Sequence, residues 1–238
     1  MSTTTAYPYN EGGYTLYFNP ICPFAQRGMR ALNAAKIPYS VEHIDLQNKP
    51  SWYHLVNPQL KVPALRTPDG TILIESLVIA EFVADQFPEA HLLPSDAIER
   101  AQLRLFIELF GGKFIPNLFK VLGSKNEEEE KQNEQALLDG IKALGKELEA
   151  QWSRESGKGG PFWNGDKWGH AEIVTSSFIG ILVTLKHYRA FSVPDTEEFA
   201  PFNRWHKAIK AAPEFIKVRP DDKLLIDAYG KFVPTTSK

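Results

Sequence analysis

The sequence predicts an α/β layer followed by an all-α domain, and three observations carry that expectation. Strand-like and helix-like runs alternate at short spacing through about the first ninety residues. Strand signals almost vanish after Leu92-Leu93-Pro94. Beyond that point apolar residues recur at helical spacing, most cleanly at Leu137, Ile141, Leu144, Leu148 and Trp152.

Taken in order, Tyr14 to Phe18 has the aromatic content of a strand, Pro23 to about Lys36 reads as a helix, and Tyr39 to Leu46 as a second strand. A short helix is expected over Ser51 to Val56. Val62 to Thr67 and Thr71 to Ile74 form a hairpin around Pro68-Asp69-Gly70, where proline presets one dihedral and glycine accepts a positive one. A third helix starts near Ser76, a good cap residue, and runs to Pro88 with Leu77, Ala80, Phe82, Val83 and Phe87 on its apolar side.

In the second domain, Ile98 to Phe119 carries Leu103, Phe106, Ile107 and Phe110 at helical spacing, and Gly111-Gly112 with Pro116 predicts a bend or break. The Glu127 to Glu130 run is a solvated first turn favoured by the helix dipole. Ile173 to Leu185 is too short and too interrupted by Thr, Ser and Gly to cross a bilayer comfortably, and reads as a buried core helix. Gly169 would cap it, with Glu172 reaching back to unpaired amides as in half of a capping box. Further helices are expected over Pro201 to Ala212 and Pro220 to Tyr229.

Composition sets outer bounds. With 238 residues and 43% of them hydrophobic, two modest cores are expected. A net charge of -2 gives no reason to expect nucleic acid or an anionic membrane surface as partner. The polar segment Met1 to Gly13 lacks the apolar core of a signal peptide, and one cysteine makes no internal disulfide, so a cytoplasmic protein is expected. Six histidines show no pair at helical ligand spacing, so no metal is expected.

The residue that carries chemistry is the single cysteine, Cys22, in Ile21-Cys22-Pro23-Phe24-Ala25-Gln26-Arg27. Pro23 suits the first position of a helix, which makes Cys22 the cap. There the helix dipole and unpaired amides lower a thiol pKa from about 8.5 to between roughly 3.5 and 7.5. A buried inert cysteine is the alternative; Asn19-Pro20 and Pro23 favour a loop end. Ala25 stands where a second sulfur would complete a dithiol pair, so a second thiol must come from solution.

The motif around Cys22, Asp45-Leu46-Gln47-Asn48-Lys49-Pro50-Ser51-Trp52, Val62-Pro63 and Glu75-Ser76, in that order, resemble the glutathione transferase superfamily. They are most similar to its cysteine-type branch, the omega class, with the plant lambda class close by. The resemblance implies a thioredoxin-like glutathione-binding domain over 1–90, a linker over 91–97 and an all-helical acceptor-substrate domain over 98–238. It implies a cis bond before Pro63, with the Val62 backbone pairing to the cysteinyl unit of glutathione like an added strand. It assigns Glu75 and Ser76 to the γ-glutamyl end, Lys49 to the glycyl carboxylate and Phe24 to the surroundings of the thiol. Taken singly, each of these has an ordinary structural role, and Arg27 is expected in a salt bridge or in packing. Gly169 and Glu172 depart from the superfamily pattern, where a hydroxyl cap and an aspartate are more usual.

The activity implied is glutathione-dependent thiol transfer or reductive deglutathionylation, with dehydroascorbate reductase-type activity, through a mixed disulfide between Cys22 and glutathione. Lowering the Cys22 pKa to about 6 raises its thiolate fraction at neutral pH about thirtyfold but costs about tenfold in nucleophilicity, so the larger gain falls on Cys22 as a leaving group. A conjugating transferase and a non-enzymatic carrier of aromatic compounds are the alternatives, the latter drawing on Phe24, Phe106 and Phe110 if these are not core. Glutathione is the co-substrate implied, with a small hydrophobic or aromatic acceptor, no membrane or nucleic-acid partner, and a homodimeric assembly.

Overall fold

A computed structural model describes residues 6–234, and the chain divides into two compact units, one ending at Leu93 and the other beginning at Pro94. The reading of residues 1–13 as a segment without a signal peptide lies partly outside the described residues.

In the first unit a four-stranded sheet has the order β2-β1-β3-β4. β1 (Tyr14–Phe18) pairs parallel with β2 (Tyr39–His43), with Leu16 opposite Val41. β3 (Ala64–Arg66) runs antiparallel to β1 and to β4 (Ile72–Ile74), with Leu65 opposite Leu16 and Leu73. The parallel pair needs a crossover, which α1 (Pro23–Ala34) supplies; the antiparallel pair needs only a turn. That turn is Pro68-Asp69-Gly70, where Gly70 has φ +95° and donates to Thr67 O at 3.0 Å. α2 (Ser76–Gln86) packs beside α1. Gly28 permits that approach: a Cβ there would stand 3.2 Å from Ile79 Cγ2 and 3.3 Å from Leu16 Cδ1. The resulting core is Leu16, Phe18, Ala25, Ala31, Leu32, Leu65, Ile79, Ala80 and Val83, all buried.

Several boundaries differ from expectation: β3 occupies only Ala64–Arg66 of the expected Val62 to Thr67, and the last helix begins at Asp222, not Pro220. β2 stops at His43, not Leu46, because Asp45 takes over the chain: its Oδ1 accepts from Gln47 N at 2.8 Å and closes a turn. Ser76 is the first residue of α2 and not its cap; the cap is Glu75. Ser51–Leu55 forms the short helix as a 3₁₀ turn.

The second unit is mostly helical. α3 (Ala97–Leu109) continues through a π-helical turn at Phe110–Phe114 into α4 (Ile115–Leu122), so the expected break at Gly111-Gly112 takes the form of a widened turn. α5 (Glu127–Trp152) is capped by Asn126, whose side chain accepts from Glu129 N at 2.9 Å. It buries Leu137, Ile141, Leu144 and Leu148. α6 (His170–Arg189) is buried along most of its length and packs against α3, α4, α7 (Ala200–Ala211) and α9 (Asp222–Tyr229). A four-residue α8 (Pro213–Ile216) was not expected. Ala212, held extended before Pro213, ends α7, and Pro213 opens the next turn at a position where its missing N–H is harmless. No helix among the described residues is long and apolar enough to cross a membrane.

Glu172 does more than the expected half of a capping box. It is fully buried, and its Oε2 accepts from Gly169 N at 3.1 Å while Oε1 accepts from Trp163 N and Trp205 Nε1, both at 2.9 Å. Burial pushes its carboxyl pKa up, and these three donors oppose the shift.

Candidate active site

The turn that carries Cys22 off the end of β1 is built from Asn19 and Pro20. Asn19 Nδ2 donates to Ile44 O at 2.9 Å, its Oδ1 accepts from Ile21 N at 3.0 Å, and its carbonyl accepts from Cys22 N at 3.2 Å. One turn into α1, the buried Gln26 donates through Nε2 to Pro20 O at 2.9 Å and accepts through Oε1 from Arg30 Nη2 at 2.9 Å. The loop is thereby braced from both sides. Cys22 is the N-cap of α1, half-buried, with Pro23 at the first helical position.

Opposite it runs the segment before β3. The Val62-Pro63 bond is cis, and Cys22 Sγ lies 3.9 Å from Val62 O. Lys61 O is pinned by Tyr53 Oη and by Asn57 Nδ2, each at 2.7 Å. These two bonds fix the backbone that presents Val62 beside the thiol.

The third element is the start of α2. Glu75 has φ +67°, a region a non-glycine residue occupies at a cost of order 1–3 kcal/mol, and such outliers cluster at functional sites. Ser76 is 7% exposed, and its Oγ accepts from Arg27 Nη1 at 3.1 Å. Ser76 also opens the helix, so first-turn amides and the dipole favour an anion there.

Arg27, expected in a salt bridge or in packing, is the charged group that holds Ser76. It is 4% exposed, and its guanidinium carbon sits 5.4 Å from the Phe24 ring centroid. Burial pulls its pKa down to about 10, and the negative field of Cys22 opposes that shift. The coupling is mutual, so the Arg27 cation favours the ionised sulfur.

Cys22, Phe24, Lys49, Val62, Pro63, Glu75 and Ser76, the candidates named from sequence, all line one cavity of about 440 Å³. Leu46, Asn57, Leu60 and Lys61 line it as well. Asn57-Pro58 was the available signal for this loop, since Asn57 makes a local turn with Oδ1 accepting from Gln59 N at 3.0 Å. Phe106 and Phe110 take the core reading. They are 1% and 0% exposed, with Phe106 lying 4.6 Å from Trp163 and Phe110 stacked 4.6 Å from Phe114.

Comparison with known proteins decides the family. Residues 16–91 match the glutathione S-transferase N-terminal domain family. Along almost its whole length the chain also superimposes on glutathione transferase Omega 2C of Trametes versicolor, with 32% identity, a TM-score of 0.75, and coverage of 93% of this chain and 99% of that one. The chain belongs to the glutathione transferase family. Its likeness to the omega class recurs in glutathione S-transferase omega-1 of Mus musculus, 34% identical over 137 residues. That alignment covers 58% of this chain and 57% of the mouse protein, so little more than half of the relative is matched. A probable cytosolic glutathione S-transferase DHAR1 of Oryza sativa subsp. japonica is 29% identical over 210 residues, 88% of this chain and 89% of that one. The glutathione transferase fold is thus a thioredoxin-like mixed sheet with a helical region after it, and the family uses glutathione as co-substrate.

Proposed function

We propose that this chain is a glutathione-dependent thiol transferase and deglutathionylating reductase with Cys22 as its nucleophile. The observation that carries the reading is that the only cysteine opens on the cavity lined by Val62-Pro63 and Glu75-Ser76, with a buried arginine coupled to its charge. In the first step the Cys22 thiolate attacks the glutathione sulfur of a glutathionylated substrate, the S–S bond breaks, and the substrate leaves as a thiolate. In the second, a glutathione thiolate from solution attacks the same sulfur in the Cys22 mixed disulfide, releasing oxidised glutathione and restoring the Cys22 thiolate. Reduction of dehydroascorbate fits the same balance, two glutathione thiols becoming one disulfide.

Within the cavity, Val62 supplies backbone groups to the cysteinyl unit, Ser76 and the α2 terminus hold the γ-glutamyl carboxylate, Glu75 accepts from the γ-glutamyl ammonium, and Lys49 meets the glycyl carboxylate. Phe24 borders the acceptor. We further propose a cytosolic homodimer acting on a small hydrophobic or aromatic acceptor; exposed Leu77 and Val78 on α2 support a covered surface there. The test is turnover of a glutathionylated peptide by the Cys22→Ser variant. Complete loss is expected, and retained thiol transfer refutes the mechanism.

A further inference from the structure

The second unit holds a cavity of about 360 Å³ to which none of the residues named so far for chemistry contributes. Its volume falls in the lower part of the roughly 300–1,000 Å³ range of small-molecule sites. The walls are apolar where Ile179, Val183 and Phe215 meet, and cationic where Lys186, Lys210 and Arg219 stand. Among the described residues Asp222 is the one carboxylate in the lining, so three cations less one anion leave a charge of +2 there. His206 adds a polar ring but no charge at neutral pH, because burial lowers its pKa to about 4.

Two details indicate that this space is built for a ligand. Arg219 is held by a salt bridge to Asp222 and by its guanidinium 5.4 Å from the Phe215 ring centroid, yet its Nε is buried with no hydrogen-bond partner among the described residues. A buried donor left unmade is destabilising, and a ligand oxygen would satisfy it. Gly180, in the interior of α6, also lines the cavity. Glycine there weakens the helix relative to alanine. Packing does not demand it, since a Cβ would meet Phe215 at an ordinary 3.5 Å. What the missing side chain leaves is room.

We propose that this cavity is a second ligand site, taking a small organic phosphomonoester with its dianionic head at Lys186, Lys210 and Arg219 and a flat apolar body against α6 and Phe215. A phosphomonoester carries about -1.5 to -2 at pH 7 and three acceptor oxygens, matching both the net lining charge and the number of cations. A monocarboxylate leaves one positive charge uncompensated, and inorganic phosphate makes no use of the apolar wall.

The experiment is calorimetric titration of the full chain with 1-naphthyl phosphate, with 1-naphthol and inorganic phosphate as controls. Naphthyl phosphate is expected to bind at least about tenfold more tightly than either control, and Lys186→Gln with Lys210→Gln to weaken it by about tenfold or more. Both lysines are exposed, so that variant keeps its fold and its thiol transfer rate. Gly180→Leu is expected to block binding, and Gly180→Ala, which tests the same space more gently, to weaken it while raising the melting temperature. The titration repeated on Cys22→Ala gives the same affinity, which separates this site from the one at Cys22. Equal binding of 1-naphthol, binding untouched by the lysine or glycine variants, or binding lost in Cys22→Ala overturns the proposal.

Discussion

Replacing His206 with glutamine should remove a pH dependence of stability whose size follows from where the imidazole sits. His206 lies on α7, and burial, reinforced by the Lys210 ammonium one turn later, lowers its pKa from 6.5 to about 4. The unfolded chain takes up the proton first as pH falls, so protonation favours unfolding. The contribution is therefore full above about pH 6.5 and is lost as pH drops toward 4. Linkage over that window gives a loss of about 1.4 kcal/mol at pH 5.5 and about 2.6 kcal/mol at pH 4.5. For a chain of this size each kcal/mol moves the melting temperature by about 2–4 °C, so the effect at pH 4.5 is about 5–10 °C. Thermal unfolding followed by circular dichroism, in the parent and in His206→Gln, measures it. The parent should lose that much more than the variant between pH 7.5 and 4.5, other titrating groups being common to both. Parallel curves would refute the reasoning, because they would mean that the native imidazole takes its proton as readily as the unfolded one.

Other outcomes follow from single contacts. Trp205→Phe removes the 2.9 Å donor to the buried Glu172 Oε1 and should lower unfolding free energy by about 2–3 kcal/mol in urea titration; an unchanged midpoint rejects that role. Ser76→Ala removes both the hydroxyl at the cavity and the acceptor of Arg27 Nη1, and should raise KM for glutathione by about tenfold with kcat little altered. A loss confined to kcat would place Ser76 elsewhere in the cycle.

Much of the fold was legible because its signals are local. Pro23 after an aromatic strand, Pro68-Asp69-Gly70 between two short apolar runs, and the acidic turn at Glu127 to Glu130 each act within a few residues, and each lies where expected. The boundary of β2 was missed because one side chain, Asp45, diverts the backbone. Contacts that join distant positions left no trace in the sequence. Nothing in the pattern marks Trp163 and Trp205, nine and 33 residues from Glu172, as its partners, or gives Arg27 the task of holding Ser76 across 49 residues. The aromatic residues Phe106 and Phe110 illustrate the same limit: spacing shows that they share a helix face, and only packing shows that the face is core.

In the proposed cycle the single cysteine, Cys22, forms a mixed disulfide with glutathione. Intact-mass measurement after incubation with oxidised glutathione tests it most directly. One glutathionyl adduct is expected, absent from Cys22→Ala and released by excess reduced glutathione. A chain that emerges unmodified contradicts it.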